Sequence, residues 1–351
     1  MEFTKEKSNL LKILNFIMTC FMIAYHTGGI NSSLAISSND VILNNFVTRL
    51  FDSMGIIVMS YFFTVTGFLL FNNLNFKNYK NKIHKRIFSL LIPYILWQVI
   101  IAIKLVFQQK YNFSLLSFLK LTFCFKRWPL DGALWYIYAI FILAVLSPIL
   151  LLLFKNKKSG IISLIIIFFL LCGRTNIFTA PIIQKIMNWG YISNLLFYLP
   201  AFLMGSFYGK FHNDIKKERS LYILIILFEA LCLEGVWGSI LSTTLILMLP
   251  LLFLIELPTI PRLVNLNIYK LTFLMYAIHQ PLISDIKPFI EKIYINLGIP
   301  IFLDNILIRL TLILIVIGVA FIIYFILKKI CPSLLKVLCG GRVENKIKTT
   351  A

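Results

Sequence analysis

The chain has 351 residues, of which 59% are hydrophobic and 14% are charged. Soluble domains carry about 45–50% apolar and roughly 25% charged residues, so this composition excludes a soluble globule and predicts an all-α, polytopic membrane protein. The net charge is +20. The basic residues lie between apolar runs and form no basic helix or finger spacing, which excludes nucleic acid as a partner and leaves the lipid bilayer.

Ten apolar stretches are candidates for helices that cross the roughly 30 Å hydrocarbon core. In chain order they are Leu10–His26, Met54–Phe71, Ile87–Phe107, Leu134–Phe154, Gly160–Cys172, Ile192–Tyr208, Leu221–Leu233, Ser239–Ile255, Leu266–Ile283 and Ile306–Leu327. The fifth and seventh stretches are short enough to be re-entrant, which leaves eight to eleven spans open. The apolar segment Phe113–Phe125 is too short and interrupted to cross, so we expect an interfacial or re-entrant segment there.

Most of the 34 Lys and Arg residues fall on one side of the membrane if both termini are cytoplasmic. Because Lys and Arg are retained on the cytoplasmic side, this bias predicts cytoplasmic termini and an even number of spans. The longest connections then face outward, and they are Thr27–Ser53, Gln108–Ala133 and Ser284–Asn305. The sequence therefore predicts one membrane domain over 1–351, with spans within about 10–327 and a basic cytoplasmic tail at 328–351.

Several familiar site types are missing from the sequence. The six cysteines show no CxxC pair and no metal-ligand spacing, so we expect structural thiols and no metal site. There is no GxGxxG, P-loop, HExxH or GxSxG motif. The N-terminal segment lacks a small-x-small cleavage site near Ala24–Gly29 and more spans follow it, so we expect an uncleaved first helix.

Six ionisable residues fall within the predicted spans, where each costs at least ~2.5–3.5 kcal/mol on insertion scales. They are Lys12, His26, Lys104, Glu229, His279 and Arg309. Lys12 and Lys104 lie near span ends, where their stems can reach the headgroups. Arg309 can reach the interface or face a cavity. Glu229 is too short to reach far, so it either pairs within the bundle or contacts a substrate.

The four histidines fall into two groups. His84 and His212 lie in basic loops, where a solvated surface role is expected. His26 ends the first predicted span and His279 lies well within the ninth. Both inner histidines fit a hydrogen-bonded interior role, and both fit a proton carrier because imidazole titrates near pH ~6.5. Spacing alone does not separate these two interpretations.

Six short patterns follow one another between Leu10 and Leu327. They are the first helix with Lys12, Asn15 and Ala24-Tyr25-His26-Thr27; Tyr61-Phe62-Phe63-Thr64-Val65-Thr66-Gly67-Phe68-Leu69-Leu70; Lys85-Arg86-Ile87 leading into Leu91-Ile92-Pro93-Tyr94-Ile95-Leu96-Trp97; Leu134-Trp135-Tyr136-Ile137 with Pro148; Phe202-Leu203-Met204-Gly205; and Tyr276-Ala277-Ile278-His279-Gln280-Pro281. In this order they resemble the membrane proteins of acyltransferase family 3, which modify bacterial cell-surface sugars. One such motif is weakly specific, whereas six in order cover nearly the whole chain.

The sequence departs from the family pattern at two places. Asn15 stands where the family usually has an Arg, eleven residues before the first-helix His. Lys12, one turn earlier on the same helical face, can replace that charge. Ala133 and Leu134 stand where a His or another polar group commonly precedes the Trp of the fourth span. These departures bear on catalysis more than on the fold.

The resemblance implies a membrane O-acyltransferase, a transferase of groups other than aminoacyl groups. Such an enzyme moves an acyl group, usually acetyl, from cytoplasmic acyl-CoA to a hydroxyl of an extracytoplasmic glycan. It implies no tightly bound cofactor, acetyl-CoA as donor substrate, and a surface glycan or lipid-linked sugar as acceptor. It also implies a multi-pass protein of the bacterial plasma membrane.

The resemblance also implies roles for particular residues. His26 is the candidate general base for the acceptor hydroxyl or a transient acyl carrier, with Asn15 or Lys12 polarising the thioester carbonyl. Lys85 and Arg86 are candidates for binding the CoA phosphates, although ordinary cytoplasmic charges would also explain them. The candidates for the wall of the substrate cavity are Thr66, Trp135, Tyr136, His279 and Arg309.

Two other functions are compatible with the same sequence. A transporter of the same fold would fit the replacement of the family's Arg by Asn15. An inactive partner subunit in surface polysaccharide assembly would fit it as well. Transfer or hydrolysis of acetyl groups from acetyl-CoA by the purified protein would exclude both.

Overall fold

The structure is a computed structural model. It describes residues 5–28, 38–125, 128–172, 190–215, 266–297 and 300–342. Its helices are α1 (Lys5–His26), α2 (Ser38–Phe71), α3 (Tyr79–Arg86), α4 (Ile92–Phe107), α5 (Leu115–Thr122), α6 (Trp135–Val145), α7 (Ser147–Leu153), α8 (Lys157–Cys172), α9 (Gly190–Ile215), α10 (Thr272–Asn296), α11 (Ile301–Ile330) and α12 (Pro332–Leu338). No strand occurs among these described residues, which confirms the all-α prediction there. The predicted spans Leu221–Leu233 and Ser239–Ile255, and Glu229 with them, lie outside the described residues.

Four stretches of described helix are long and apolar enough to cross a membrane. They are Ser8–His26, Val41–Phe71, Tyr79–Phe107 and Ile301–Ile330. A fifth crossing results if α6 and α7 are counted as one broken span. These helices support a membrane protein, while the total of ten spans and the sides of the termini stay predictions. Helix α5 has only eight residues, too few to cross.

Two predicted external connections are largely helical instead. Helix α2 begins at Ser38, so most of the predicted connection Thr27–Ser53 is helix. Helix α10 continues through Ser284 to Asn296. Hydropathy falls in both stretches, which is why the sequence suggested loops. The polar side chains of α2 find partners on α11, since Asn305 Nδ2 donates to Asn44 Oδ1 at 2.8 Å.

The predicted span Leu134–Phe154 is bent rather than straight. Helices α6 and α7 meet at an angle of 51°. Pro148 lies in the first turn of α7, where its missing N–H and fixed φ are tolerated but interrupt the preceding helix. Ser147 Oγ donates to Ala144 O at 2.7 Å, so a side chain satisfies one of the carbonyl groups at the break.

Helices α2 and α9 approach closely through glycine. A Cβ on Gly67 would lie 2.8 Å from the backbone nitrogen of Ser206, and one on Gly205 would overlap the backbone of Thr64. Gly209, one turn after Gly205, meets the backbone of Phe68 in the same way. Small residues four apart allow such close packing of membrane helices. The second and fifth motifs of the sequence therefore pack directly against each other.

The segment after α11 folds back onto the bundle. Helix α12 packs against α4, with Leu335 and Cys339 at 1% and 0% exposure. Trp97 Nε1 donates to Leu338 O at 3.2 Å. The predicted tail at 328–351 therefore begins with a packed segment, because its apolar side chains lie on one face of a short helix. Residues 343–351 lie outside the described residues.

Candidate functional site

A cavity of about 720 Å³ opens between α1, α2, α6 and the start of α10. Small-molecule sites usually have volumes of about 300–1,000 Å³. Within the described residues, every charged side chain on its wall is basic. These four side chains are Lys12, Arg86, Lys270 and Arg342. The cavity is therefore suited to an anionic ligand.

One face of α1 supplies the first wall. Asn9, Lys12, Asn15 and Thr19 are spaced by three or four residues, and all four line the cavity, as that spacing requires in a helix. Tyr61 OH donates to Asn15 Oδ1 at 3.0 Å. This bond fixes the amide of Asn15 and leaves its Nδ2 group as a donor. The predicted placement of Lys12 and Asn15 on one face is seen here.

The opposite wall contains Thr66 on α2 and Tyr136 on α6. Their hydroxyl oxygens are 2.7 Å apart. Tyr136 OH donates to Phe62 O at 2.9 Å, so the Thr66 hydroxyl must be the donor in the Thr66–Tyr136 bond. Thr66 therefore retains acceptor capacity toward a bound molecule. Both predicted residues line this cavity, and their contact with a substrate stays a prediction.

The two predicted phosphate-binding residues are separated by the structure. Arg86 is the last residue of α3 and lines the cavity. Lys85 is exposed and lies off the cavity wall. A π-helical turn, Ile87–Leu91, follows immediately, and such turns change which side chains share a helix face. Among the described residues Arg86 has no carboxylate partner.

Arg342 is a cavity residue that the sequence did not suggest. Gly340 and Gly341 precede it with positive φ angles of 59° and 76°, and this turn directs the chain back to the cavity. Arg342 Nη1 donates to Ser89 O at 3.1 Å, and its guanidinium lies 4.5 Å from the centre of the Phe273 ring. The Arg342 side chain is exposed at the cavity, where the positive charge of Arg86 acts on it.

The two inner histidines form a pair. The ring centres of His26 and His279 are 5.1 Å apart. His279 is fully buried, and its Nδ1 lies 2.7 Å from Tyr276 O. That carbonyl can only accept, so Nδ1 carries the proton in the neutral ring and Nε2 carries the lone pair. Within the described residues Nε2 has no hydrogen-bond partner.

Tyr276 connects the cavity with the histidine pair. It lines the cavity, and its ring centre is 5.9 Å from that of His279. Its hydroxyl donates to Ala133 O at 2.5 Å. His26 itself lies beyond the cavity wall, seven residues after Thr19, which is about 10 Å along α1. The cavity and the histidines are thus neighbouring parts of one polar region.

Three predicted cavity residues lie off this wall: His279, described above, Trp135 and Arg309. Trp135 is 8% exposed and packs among aromatic rings, with its ring centre 5.8 Å from that of Phe63. Arg309 is 0% exposed; its Nε donates to Asn305 Oδ1 at 2.9 Å and its Nη1 donates to Ala24 O. Arg309 therefore lies inside the bundle and does not extend to the interface, and its Nη2 has no partner among the described residues. A contact between Arg309 and a substrate stays a prediction.

Lys104 also differs from its predicted role. Its Nζ lies 2.5 Å from Asp285 Oδ2 and donates to Pro281 O at 3.0 Å. It therefore pairs with α10, and does not simply extend to the headgroups. Over the described ranges, no group of three or more metal-ligating side chains comes together.

Comparison with known proteins identifies one family. A family model described as an acyltransferase domain, acyltransferase family 3, matches residues 11–325. No curated protein and no solved structure matches the chain. The family match confirms the resemblance carried by the six motifs. Because it runs from α1 through the cavity and the histidine pair to α11, the chain belongs to acyltransferase family 3.

Proposed function

We propose that this membrane acyltransferase moves an acetyl group from cytoplasmic acetyl-CoA to a hydroxyl of an extracytoplasmic glycan in bacteria. One observation carries the proposal: Tyr276 lies between the histidine pair and a cavity whose charged groups, among the described residues, are all basic. Transfer from a thioester to an alcohol requires recognition of the anionic donor and a base for the alcohol. The basic cavity and the histidine pair are our candidates for these two tasks.

The basic side chains support binding of the donor phosphates. Arg86, Lys12 and Lys270 line the cavity, and within the described residues none of them pairs with a carboxylate. A guanidinium binds phosphate through two parallel hydrogen bonds, which makes Arg86 the strongest candidate of the three. Basic groups also mark the cytoplasmic ends of spans, so this end of the cavity is the proposed cytoplasmic entrance.

His26 is the proposed base at the reacting centre. The acceptor oxygen forms a bond to the acyl carbon as His26 takes the hydroxyl proton. The carbon–sulfur bond breaks, and the departing thiolate receives that proton from His26. His279 assists because its Nδ1–H is held by Tyr276 O, which leaves the Nε2 lone pair to accept a hydrogen bond from protonated His26.

Asn15 has a different role in this proposal from the one that the sequence suggested. It lies eleven residues before His26, about 16 Å along α1. One thioester carbonyl cannot contact both side chains over that distance. Asn15 Nδ2 is free to donate because Oδ1 accepts from Tyr61, so we assign Asn15 to the pantetheine arm of the donor as it passes Thr19 toward His26.

The test is incorporation of labelled acetyl into surface glycan by cells that carry matched amounts of each protein in the membrane. Deletion of the gene and His26→Ala should both abolish labelling, since removal of a general base costs about 10²–10⁴-fold in rate. His84→Ala is the matched control because His84 is an exposed histidine of α3. Labelling that survives gene deletion would contradict the proposal for that glycan, and substrate uptake that survives His26→Ala would favour a transporter.

A further inference from the structure

The cavity wall holds two guanidinium groups from distant parts of the chain. Arg86 ends α3, and Arg342 follows α12. Arg86 is close enough to Arg342 for its positive charge to act on the Arg342 guanidinium. Across the described ranges, neither has a carboxylate partner. Two like charges in a partly enclosed site repel each other unless an anion lies nearby.

Backbone contacts orient Arg342 without neutralising it. Its Nη1 donates to Ser89 O and to Cys339 O, at 3.1 Å and 3.0 Å. A Cβ on Gly340 would overlap Ser89 O, so the close approach of the C-terminal segment to this carbonyl needs glycine. Nε and Nη2 of Arg342 make no hydrogen bond within the described residues, and they are available to a ligand.

The packing of the C-terminal segment makes the position of Arg342 specific. Leu335 and Leu338 are buried, and Trp97 donates to Leu338 O. The residues just before Arg342 are therefore packed against the bundle. Lys336 lies on the short helix α12; it is exposed, as Arg342 is, but only Arg342 lines the cavity. The two cations of this segment thus differ in position although both carry one positive charge.

We propose that Arg342 and Arg86 together clamp a phosphate group of the donor, and that donor binding stabilises the packed C-terminal segment. This inference rests on the proposed function. Two planar guanidinium groups can each bind phosphate oxygens through paired hydrogen bonds. The bound anion removes their mutual repulsion. A ligand that binds only the packed arrangement must also stabilise it.

The first experiment measures calorimetric dissociation constants of coenzyme A and of pantetheine, which lacks phosphate. The full chain is used in phosphatidylcholine nanodiscs. Arg342→Gln should raise the constant for coenzyme A about tenfold, the loss expected for one charge-assisted contact. Pantetheine binding should stay within about twofold of wild type, which also reports that the variant is folded. Lys336→Gln is the matched control, and unchanged coenzyme A binding by Arg342→Gln would overturn the clamp.

The second experiment follows hydrogen exchange of residues 331–342 with and without coenzyme A. Coenzyme A should slow exchange in wild type and in Lys336→Gln, but not in Arg342→Gln. The same phosphate chemistry occurs in anionic lipid headgroups, so the measurement is repeated in nanodiscs that contain phosphatidylglycerol. Slowing by phosphatidylglycerol alone, with none added by coenzyme A, would assign the site to lipid and overturn the donor clamp.

These experiments separate the clamp from the proposed function. A wild-type protein that transfers acetyl and binds coenzyme A, with no change in Arg342→Gln, refutes only the clamp. A wild-type protein that binds no coenzyme A refutes both. Arg342→Lys retains the charge but loses the planar fork, so intermediate coenzyme A binding is expected if paired hydrogen bonds matter.

Discussion

Arg309 and the Arg86–Arg342 pair show two different environments for guanidinium groups in one membrane protein. Arg309 is fully buried and contacts groups from three helices: Ala24 O, Asn305 Oδ1 and the ring of Phe51, whose centre is 4.3 Å away. The pair lines a cavity and has no carboxylate partner among the described residues. The difference separates a cation that holds helices together from cations that are available to a ligand.

The surroundings of Arg309 explain its structural role. Asn305 accepts from Arg309 and donates to Asn44 Oδ1 and Thr48 Oγ1 at 2.8 Å and 3.0 Å. This chain of bonds joins α11 to α2, and the bond to Ala24 O adds α1. In a hydrocarbon environment, such groups cannot turn to water if the guanidinium is removed. Arg309 therefore stabilises the bundle near the histidine end.

The largest expected effect is that of Arg309→Leu. The change leaves Asn305 Oδ1 and Ala24 O without their donor, and each unsatisfied buried group costs about 1–3 kcal/mol. We expect a lower yield of folded protein and a clearly lower unfolding temperature in detergent. Coenzyme A binding per folded molecule should be unchanged. Arg49→Leu, at an exposed site on α2, is the control; an unfolding temperature equal to wild type for Arg309→Leu would remove the contrast.

The reverse pattern is expected for Arg86→Gln. Loss of this guanidinium should weaken acetyl-CoA binding about tenfold and leave the unfolding temperature near that of wild type. Lys85→Gln removes the same charge from the neighbouring, exposed residue, so its binding constant should change by less than about twofold. Equal losses in the two variants would indicate a general effect of basic charge and no specific contact with Arg86.

Asp131 is a buried acidic residue that can be compared with the buried Arg309. It is 2% exposed; its Oδ1 accepts from Ala133 N at 3.1 Å, and its Oδ2 has no partner among the described residues. Burial raises the pKa of Asp131 from 3.8 to about 7, against smaller opposite effects of the Ala133 N–H and Lys104. Between pH 3.8 and about pH 7, the native state therefore keeps the Asp131 proton, whereas the unfolded chain has lost it. The free energy of unfolding falls as pH rises through this window.

Asp131→Asn tests that sign. Wild type should lose stability between about pH 4 and pH 7 because Asp131 ionises in the unfolded chain. Asparagine cannot ionise, so the variant should not show this loss. Unfolding temperatures at several pH values measure the effect in detergent. The difference between the variant and wild type should shift in favour of the variant as pH rises. A difference that is constant with pH would show that Asp131 does not titrate in this window.

The smallest expected effect is that of Thr66→Val. The substitution removes the hydroxyl that donates to Tyr136 OH, while Tyr136 retains its bond to Phe62 O. We expect a loss of about 1 kcal/mol in the free energy of unfolding. Thr66→Ser keeps the hydroxyl and should behave like wild type. A loss as large as that of Arg309→Leu would show that the Thr66–Tyr136 bond contributes as much to the stability of the bundle as the contacts of Arg309.

The sequence predicted those parts of the fold and site that depend on local pattern. Helical spacing placed Lys12 and Asn15 on one face, and the motif order led to the correct family. Thr66 and Tyr136 do lie on the cavity wall. Hydropathy failed at Ser38–Ser53, where polar residues of α2 pair with α11 and need no loop.

The remaining parts depend on contacts between distant residues. Arg309 looked like an interface or cavity residue because Ala24 and Phe51, which contact its guanidinium, lie on other helices. Arg342 was missed because a basic tail usually indicates a solvated segment, whereas this one contacts Ser89. The Gly340-Gly341 pair was the available signal for a turn before Arg342. No spacing rule could predict that His26 and His279 would meet.

The most direct test compares donor binding and acetyl transfer in the same preparation of His26→Ala. The proposed separation of a donor cavity from a reacting histidine pair predicts acetyl-CoA binding within about twofold of wild type and transfer reduced by about 10²-fold or more. His84→Ala should retain both activities. Transfer at the wild-type rate by His26→Ala, or parallel loss of binding and transfer in a fully folded variant, would contradict the account.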